Sequence, residues 1–351
     1  MTERTLDKSS VWSNGVPVPT GAGTPLDILD FADALEAVAG FAAGPLGAES
    51  VRARRPVMDL ELIREELAAV GEILTLERVG SAPSVDPVPA AGDQLARLRI
   101  AGSVLDGRAL LLLRKVIAAA RRTAGELKRV ALDAPRAGAL VVELPPTTID
   151  RRLEKSLDDE GQLLDTADPE LGAVRREVGQ ARQRLVKRLE GILRGIGDAE
   201  GSVTLRNGRY VIPVRRDERK RPDGIVHDES ASGTTLFIEP TAAIELGNAM
   251  REAELAEERV IQRVLRELTE ELRAHHATLD AAYHMCISAD DLCARARYAA
   301  KADAHVPAVA AAPAPLRVVK CRHPVLLARG VDVVPFDLTL EGAERTLLVS
   351  G

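Results

Sequence analysis

The chain has 351 residues, of which 46% are apolar, 28% charged and only 2% aromatic, and its formal net charge is −6. This length allows two or three domains, and apolar content dominated by Ala, Leu and Val favours closely packed helices over an aromatic-rich β core. The acidic balance argues against a protein that coats nucleic acid. Three cysteines without paired spacing, no signal segment and no membrane-spanning apolar run predict a cytoplasmic protein without a membrane partner.

The first 170 residues are predicted to be a polar tail followed by a helical domain. Residues 1–24 are polar with scattered Gly and Pro, and we expect them to be disordered. Apolar side chains then recur at helical spacing over 26–38, 60–74 and 105–131, separated by segments rich in Gly and Pro. Residues 25–170 are therefore predicted to form a helical domain.

Two long helices are predicted on either side of residues 201–240. One apolar stripe runs through 171–196, and a stricter one, over 261–293, alternates steps of four and three residues. A sustained 3.5-residue repeat predicts packing against another helix along its length. A single helix over 244–301 would extend ~80 Å at 1.5 Å per residue. Residues 171–300 are thus predicted to form a long antiparallel coiled-coil arm and its return into the helical domain.

Between these helices the pattern becomes that of strands. Apolar strands flank Asn207–Gly208, a strong signal for a two-residue hairpin turn, and a second pair of strands flanks the turn residues 230–233. Residues 201–240 are therefore predicted to be two hairpins that cap the arm. After an Ala- and Pro-rich linker at 301–315, short apolar runs over 316–351 are predicted to be the first strands of another domain.

The strand-rich segment carries a concentration of positive charge. Seven cations lie between residues 206 and 221, where only Asp217 and Glu218 are acidic, so the local net charge is +5. Such a cluster favours a phosphate backbone, because neutralised phosphates release their counterions, although a solvated face is the usual fate of a charge run. Tyr210 is the one aromatic residue among these cations, and arginines without a groove-entering helix are expected to hold phosphates rather than read bases. The predicted nucleic-acid-binding residues are Arg206, Arg209, Arg215, Arg216, Arg219, Lys220 and Arg221.

Two other polar clusters are not expected to carry chemistry. Residues 227–230, HDES, contain the residue types of a catalytic triad, but their spacing brings no nucleophile to a base. Turn formation is the preferred interpretation. His275, Cys286 and Cys293 lie on the apolar repeat, where thiols act as small apolar groups. No catalytic residue and no metal site are therefore predicted.

Several segments resemble the MutS family, in particular its second bacterial paralogue. RNGRYVIPV, GIVHDESASGTTLFIEP and ELGNAMREAELAEER resemble the clamp of that family, and LLDTADPELGAVRREV and CRHPVLL fit the same pattern. The resemblance implies a helical lever domain, an inserted clamp and the opening of an ABC-type ATPase domain. The predicted fold is therefore mainly α: a lever bundle, a long antiparallel coiled-coil arm with a small β-rich end, and a truncated α/β ATPase domain.

The resemblance also implies a function. It is that of the DNA-binding portion of an ATP-dependent protein acting on mismatched or branched DNA. Gly351 would be the first glycine of the phosphate loop, so no cofactor and no independent activity are expected of this chain. For full-length members it implies ATP and Mg²⁺, ATPase and nuclease activity, and a homodimer.

The implied partners are double-stranded or branched DNA and ribosomal RNA, because the paralogue is associated with suppression of recombination, DNA repair and rescue of stalled ribosomes. The alternative from another class is a coiled-coil scaffold. Its basic end would bind an acidic protein, and it would have no nucleic-acid role. A salt titration of nucleic-acid binding separates the two hypotheses, since phosphate binding weakens steeply as salt rises.

Overall fold

A computed structural model describes residues 25–197, 201–311, 314–341, 344 and 346–347. The predicted disordered tail, residues 1–24, lies outside this range. The helices of the described part are α1 Pro25–Ile28, α2 Phe31–Ala39, α3 Pro45–Arg52, α4 Leu60–Arg78, α5 Gly92–Leu98, α6 Gly107–Val130, α7 Pro135–Gly138, α8 Thr147–Ser156, α9 Leu171–Ile196, α10 Thr241–Arg273, α11 His276–Lys301 and α12 Pro324–Ala328. Its strands are β1 Thr204–Arg206, β2 Arg209–Arg215, β3 Gly224–Glu229, β4 Thr235–Pro240, β5 Leu316–Cys321 and β6 Phe336–Leu340.

Local sequence signals explain where several helices begin and end. Asp59 precedes α4, and its Oδ1 accepts the backbone N–H groups of Glu61 and Leu62 at 3.0 and 3.2 Å, which satisfies donors that the helix leaves free. The predicted helix over 26–38 is instead two helices. Asp30 has a positive φ of 50°, and this left-handed residue separates α1 from α2.

The chain falls into two compact units. The first unit takes residues up to 88, residues 119–142 and residues from 283 onward, and the second takes residues 89–118 and 143–282. Buried apolar side chains of the first unit include Val51, Ile73 and Leu127. Among them lie two buried carboxylates of α11, Asp290 and Asp291.

The two buried carboxylates hold α11 to the segment around α3. Asp290 accepts the backbone N–H groups of Ala43 at 2.7 Å and Gly44 at 3.0 Å, just before α3 begins. Burial raises the pKa of Asp290. A Cβ at Gly47, on the first turn of α3, would overlap the Asp290 carboxylate, so this close approach requires glycine.

Asp291 joins two arginines to the same region. Its Oδ1 lies 2.9 Å from Nη2 of Arg54 and 2.8 Å from Nε of Arg295, and its Oδ2 accepts the Ser50 hydroxyl at 3.0 Å. Burial lowers the pKa of Arg295. Glu66 Oε2 also contacts both arginines, at 2.9 and 2.8 Å. We call Arg54, Glu66, Asp290, Asp291 and Arg295 the interior cluster.

The second unit contains a four-stranded antiparallel sheet in the order β1-β2-β4-β3. One face of its central strands packs against α9 and α10, because apolar residues alternate along β2 and β4. The buried residues of this core are Ala181, Leu185, Leu189, Leu193, Ile212, Val214, Leu236, Ile238, Ala243 and Met250.

The predicted long coiled-coil arm is wrong. The outgoing helix is interrupted, since α10 ends at Arg273, a turn occupies Ala274–His275, and α11 begins at His276. Residues 289–294 of α11 are all buried, so this part of the helix has no single packing face. An apolar repeat predicts burial, but it does not distinguish one long helix from two successive buried helices.

The predicted truncated ATPase domain is also wrong. The described residues of this region form a two-stranded antiparallel sheet, in which Leu316 pairs with Leu340 and Cys321 with Phe336. The expected strand at 331–334 has no regular structure, and half of the expected strand at 346–349, residues 348 and 349, lies outside the described residues. Short apolar runs predict strands without fixing the direction of pairing. The observed fold is mixed, with twelve helices and two small antiparallel sheets in the described part.

Within the described ranges, no helix combines the length and the apolar character needed to cross a membrane.

Candidate nucleic-acid interface

The β1–β2 hairpin places the first two predicted cations. Asn207 and Gly208 have positive φ values of 49° and 74°, as a two-residue hairpin turn requires. Arg206 and Arg209 are therefore direct partners across the turn. The remaining five predicted cations lie at the other end of β2 and in the loop 216–223, which leads to β3.

Four of the seven predicted cations meet carboxylates. The pairs, with their nitrogen–oxygen distances, are Arg206–Asp228 at 3.5 Å, Arg209–Glu239 at 3.4 Å, Arg215–Asp217 at 3.1 Å and Arg216–Glu229 at 2.6 Å. The guanidinium carbon of Arg206 also lies 4.6 Å from the centroid of the Phe237 ring, a cation–π contact. These four arginines therefore have partners within the sheet and its loops.

The sheet changes the charge balance that the sequence suggested. Three of the partner carboxylates, Asp228, Glu229 and Glu239, come from β3 and β4, beyond the window 206–221. Over 201–240 there are seven cations and six carboxylates, so the net charge of the whole segment is only +1. Antiparallel pairing brings these distant carboxylates beside β1 and β2.

The other three cations form an exposed group in the β2–β3 loop. Arg219, Lys220 and Arg221 are all exposed, and the described part of the chain places no carboxylate within 4.0 Å of their charged nitrogens. The adjacent Glu218 carboxylate instead accepts the backbone N–H of Lys220 at 2.9 Å. We call Arg219, Lys220 and Arg221 the loop cations, and they are the part of the predicted site that is free to bind an anion.

A row of hydroxyl groups lies in the β3–β4 turn. Ser232 Oγ is 3.3 Å from Ser230 Oγ and 2.8 Å from Thr234 Oγ1. Arg215 and Arg216 line a surface recess with Thr234 and neighbouring residues of this turn. Hydroxyl and guanidinium groups together are typical phosphate ligands.

The HDES segment has structural rather than catalytic contacts. Ser230 Oγ accepts the backbone N–H of Thr235 at 3.1 Å, as expected for turn formation. His227 Nε2 lies 2.8 Å from Glu239 Oε2, and it makes no contact with Ser230 that would resemble a triad.

The role of Glu239 is not evident from the sequence. This carboxylate is only 4% exposed, and it contacts Arg209 of β2 and His227 of β3. Arg209 Nη1 also donates to Asn248 Oδ1 of α10 at 3.0 Å. Glu239 lies on the opposite face of β4 from Leu236 and Ile238, so alternation alone predicts an exposed side chain. Only the pairing of three strands reveals this buried cluster.

Three further features bear on possible chemistry: the predicted nucleotide-binding residue, groups of metal ligands and the cysteines. Gly351, the predicted nucleotide-binding residue, lies outside the described residues. Across the part of the chain that the structure describes, no group of three His, Cys, Asp or Glu residues is placed to hold a metal ion. Cys286 and Cys293 are buried, and burial raises the pKa of Cys293 to about 12, which keeps its thiol protonated.

No protein-family model matches the chain, but several known proteins are similar to it. The chain is similar to proteins named "Endonuclease MutS2". It is 40% identical over 339 residues to the one from Gemmatimonas aurantiaca, 34% over 340 residues to that of Geobacillus thermodenitrificans, and 33% over 340 residues to that of Pelotomaculum thermopropionicum. These matches cover 93%, 93% and 92% of this chain, and 41%, 42% and 41% of the relatives. The chain therefore spans about two fifths of the length of these curated relatives, and the similarity supports a MutS2-type protein.

Proposed function

We propose that this chain supplies nucleic-acid binding to a MutS2-type protein, and that the loop cations hold the phosphate backbone of double-stranded or branched DNA. One observation carries the proposal. Four of the seven cations of the strand-rich segment have carboxylate partners, whereas Arg219, Lys220 and Arg221 are exposed without one. Unpaired, solvated cations on a loop can exchange counterions for phosphates with little desolvation.

The chemistry of the loop favours the backbone over the bases. Residues 216–223 contain no aromatic side chain that could stack on a base, and they form no helix or strand that could enter a groove. Contacts to phosphates alone give affinity without sequence preference. The same loop offers no large apolar anchor of the kind that protein interfaces use, so a scaffold that binds an acidic protein is less well supported.

A matched pair of variants tests the assignment in the 351-residue chain. Arg219→Gln with Arg221→Gln removes two loop cations, and Arg215→Gln with Arg216→Gln removes two paired arginines from the same segment. Both variants lose the same charge, so a difference between them reports direct contact. The measurement is affinity for a duplex DNA of about 30 base pairs as a function of salt.

The loop variant should reduce the slope of log K against log[salt] by about 1.8, because each phosphate contact contributes about 0.9. The paired-arginine variant should reduce it by less, since those guanidinium groups already have carboxylate partners. A loop variant with the wild-type slope would remove the loop from the interface, and an equal reduction in both variants would show that the paired arginines contact DNA as well. A wild-type chain that binds no nucleic acid would favour the scaffold function.

The finer roles follow only from the resemblance, and we extend them to this chain as proposals. Suppression of recombination, DNA repair and ribosome rescue each act on DNA or RNA, and the loop cations would contact the phosphate backbone of either. A duplex DNA, a four-way DNA junction and a ribosomal RNA stem, titrated in parallel, would rank these substrates. ATP, Mg²⁺ and a homodimer stay predictions for a protein of the relatives' full length.

A further inference from the structure

Helix α9 carries an excess of positive charge outside the strand-rich segment. Between Leu171 and Ile196 there are seven cations and two carboxylates, a net charge of +5. Its neighbour α10 has five cations and eight carboxylates over Thr241–Arg273, a net charge of −3. The two helices share one apolar core but differ by eight units of charge.

The cations of α9 lie away from that core. The inner face is set by Val178, Ala181, Leu185, Leu189 and Leu193, which are buried at steps of three and four residues. At 100° per residue, positions 176, 187 and 194 lie opposite this face and within about 20° of one line. These are Arg176, Lys187 and Arg194, all exposed, and they mark a stripe ~27 Å long at 1.5 Å per residue.

Most of the positive charge of α9 is not compensated by the protein. Arg175 pairs with Asp165 at 2.6 Å and Glu257 at 3.3 Å. The other six cations are exposed, and within the described residues no carboxylate comes within 4.0 Å of them: Arg176, Arg182, Arg184, Lys187, Arg188 and Arg194.

On α10, by contrast, three of the five arginines are paired. The pairs are Arg251–Glu254, Arg263–Asp168 and Arg273–Glu270. A charge run on a solvated helix is ordinarily balanced in this way by carboxylates one turn apart. The outer face of α9 lacks that balance, so its cations are available to an external anion.

The side chains beside these cations indicate which kind of anionic partner the face fits. The exposed residues between them include Gln180, Gln183 and Gly191 together with two carboxylates, Glu177 and Glu190, and no large apolar side chain of α9 is exposed. A protein partner would need apolar or aromatic anchors at the centre of its interface. Lys, Arg and Gln side chains are the donors that bind phosphate oxygens. A stripe of ~27 Å spans about eight base steps along the axis of a duplex, at 3.4 Å per step.

We infer that the outer face of α9 is a second phosphate-binding surface, which lies along a nucleic-acid backbone and adds contacts to those of the loop cations. The inference rests on the proposed function, because it assumes the same ligand class. It names a different element, however, and none of its residues belongs to the strand-rich segment.

The test uses the 351-residue chain and two matched variants. Lys187→Gln with Arg194→Gln removes two cations of the α9 stripe. Arg259→Gln with Arg266→Gln removes two exposed cations of α10 that have no carboxylate within 4.0 Å in the described part of the chain. Glutamine keeps the helix propensity close to that of Lys and Arg, so thermal melts should be unchanged. Each variant is titrated with duplex DNA and with duplex RNA of the same sequence over a range of salt.

The α9 variant should reduce the slope of log K against log[salt] on duplex DNA by about 1.8, and the α10 variant should leave it unchanged. A parallel loss on RNA would identify the backbone as the ligand, and a loss on DNA alone would restrict the surface to DNA. Equal slopes for the α9 variant, the α10 variant and wild type would overturn the inference.

The outcome is separable from that of the proposed function. If the loop variant Arg219→Gln with Arg221→Gln lowers the slope and the α9 variant does not, the loop stands and the α9 surface falls. A wild-type chain without affinity for either duplex overturns both. If the α9 variant instead changes the sedimentation mass and not the slope, the face binds a second copy of the chain, which also overturns the inference.

Discussion

The interior cluster of the first unit and the arginine pairs of the strand-rich segment contain the same chemical groups at similar distances, but they differ in burial. Asp291 pairs with Arg54 and Arg295 at 2.9 and 2.8 Å, and its side chain is 4% exposed. Arg216 and Glu229 pair at 2.6 Å, yet their side chains are 60% and 59% exposed. A distance alone therefore does not tell which pair stabilises the protein.

The difference teaches what each region can do. Exposed ion pairs contribute about 0–1 kcal/mol, because water and salt screen them and both side chains lose freedom. Removing one partner of a buried pair costs about 3–5 kcal/mol, because it leaves an uncompensated charge. The interior cluster therefore stabilises the fold, whereas the exposed ion pairs of the strand-rich segment can exchange partners at little cost.

The largest expected effect is that of Asp291→Ala. This change leaves Arg54 and Arg295 to share one carboxylate, Glu66, so one buried positive charge is uncompensated and the free energy of unfolding should fall by about 3–5 kcal/mol. Asp217→Ala is the matched control, since it removes the partner of Arg215 at the surface, where solvent screens the pair, and it should cost far less than Asp291→Ala. Urea unfolding measures both, and similar losses in the two variants would break the comparison.

Glu239→Ala should have the next largest effect, because Glu239 combines a buried carboxylate with partners of intermediate exposure. Arg209 and His227 would lose their contact but could partly hydrate, so we expect a loss of about 2–3 kcal/mol. Glu229→Ala, which removes only the exposed partner of Arg216, is the control. A loss as small as that of the control would show that the Glu239 cluster does not hold the sheet.

Asp290→Asn should cost about 1–2 kcal/mol, because an amide can accept only one of the two backbone N–H groups of Ala43 and Gly44. Burial raises the pKa of Asp290 in the folded protein. The stability that Asp290 contributes is therefore fully present below its unfolded pKa and is lost as pH rises through the folded pKa. The cost of Asp290→Asn should accordingly be greater in acid than at neutral pH, and urea midpoints across pH would show it. A cost that rises toward neutral pH would contradict this sign.

The smallest expected effect is the coupling between Arg216 and Glu229. A double-mutant cycle with Arg216→Gln and Glu229→Gln should give an interaction energy of at most about 0.5–1 kcal/mol, which falls further in high salt. A coupling above about 2 kcal/mol would place this exposed pair with the interior cluster, and the loop would then be less available to phosphate.

The parts of this molecule that the sequence predicted are those fixed by neighbouring residues. Asn207–Gly208 dictates a tight turn whatever surrounds it, and Asp59 caps α4 by contacts two and three residues away. The break at Ala274–His275 has no such local signal, because both residues fit the apolar repeat or its flank. Likewise, nothing in the runs that became β5 and β6 states that they pair antiparallel with each other.

The predicted binding residues show the same limit. Counting charges along 206–221 identified all the cations of the segment, but it could not find Asp228, Glu229 and Glu239, which reach them only through strand pairing. The cationic face of α9 was missed for a different reason. The spacing of its apolar residues predicts only how the helix packs. The excess positive charge on the opposite face becomes evident when α9 is compared with its neighbour α10.

The hydrogen bonds from Ala43 and Gly44 to Asp290 also have a consequence for folding during synthesis. The donor and acceptor positions are 247 and 246 residues apart in the chain. At about 5–20 residues per second, synthesis of that interval takes roughly 12–50 s. During that time, the segment before α3 has emerged and its final partner does not yet exist. The first unit therefore completes its structure only after Asp290 has been synthesised.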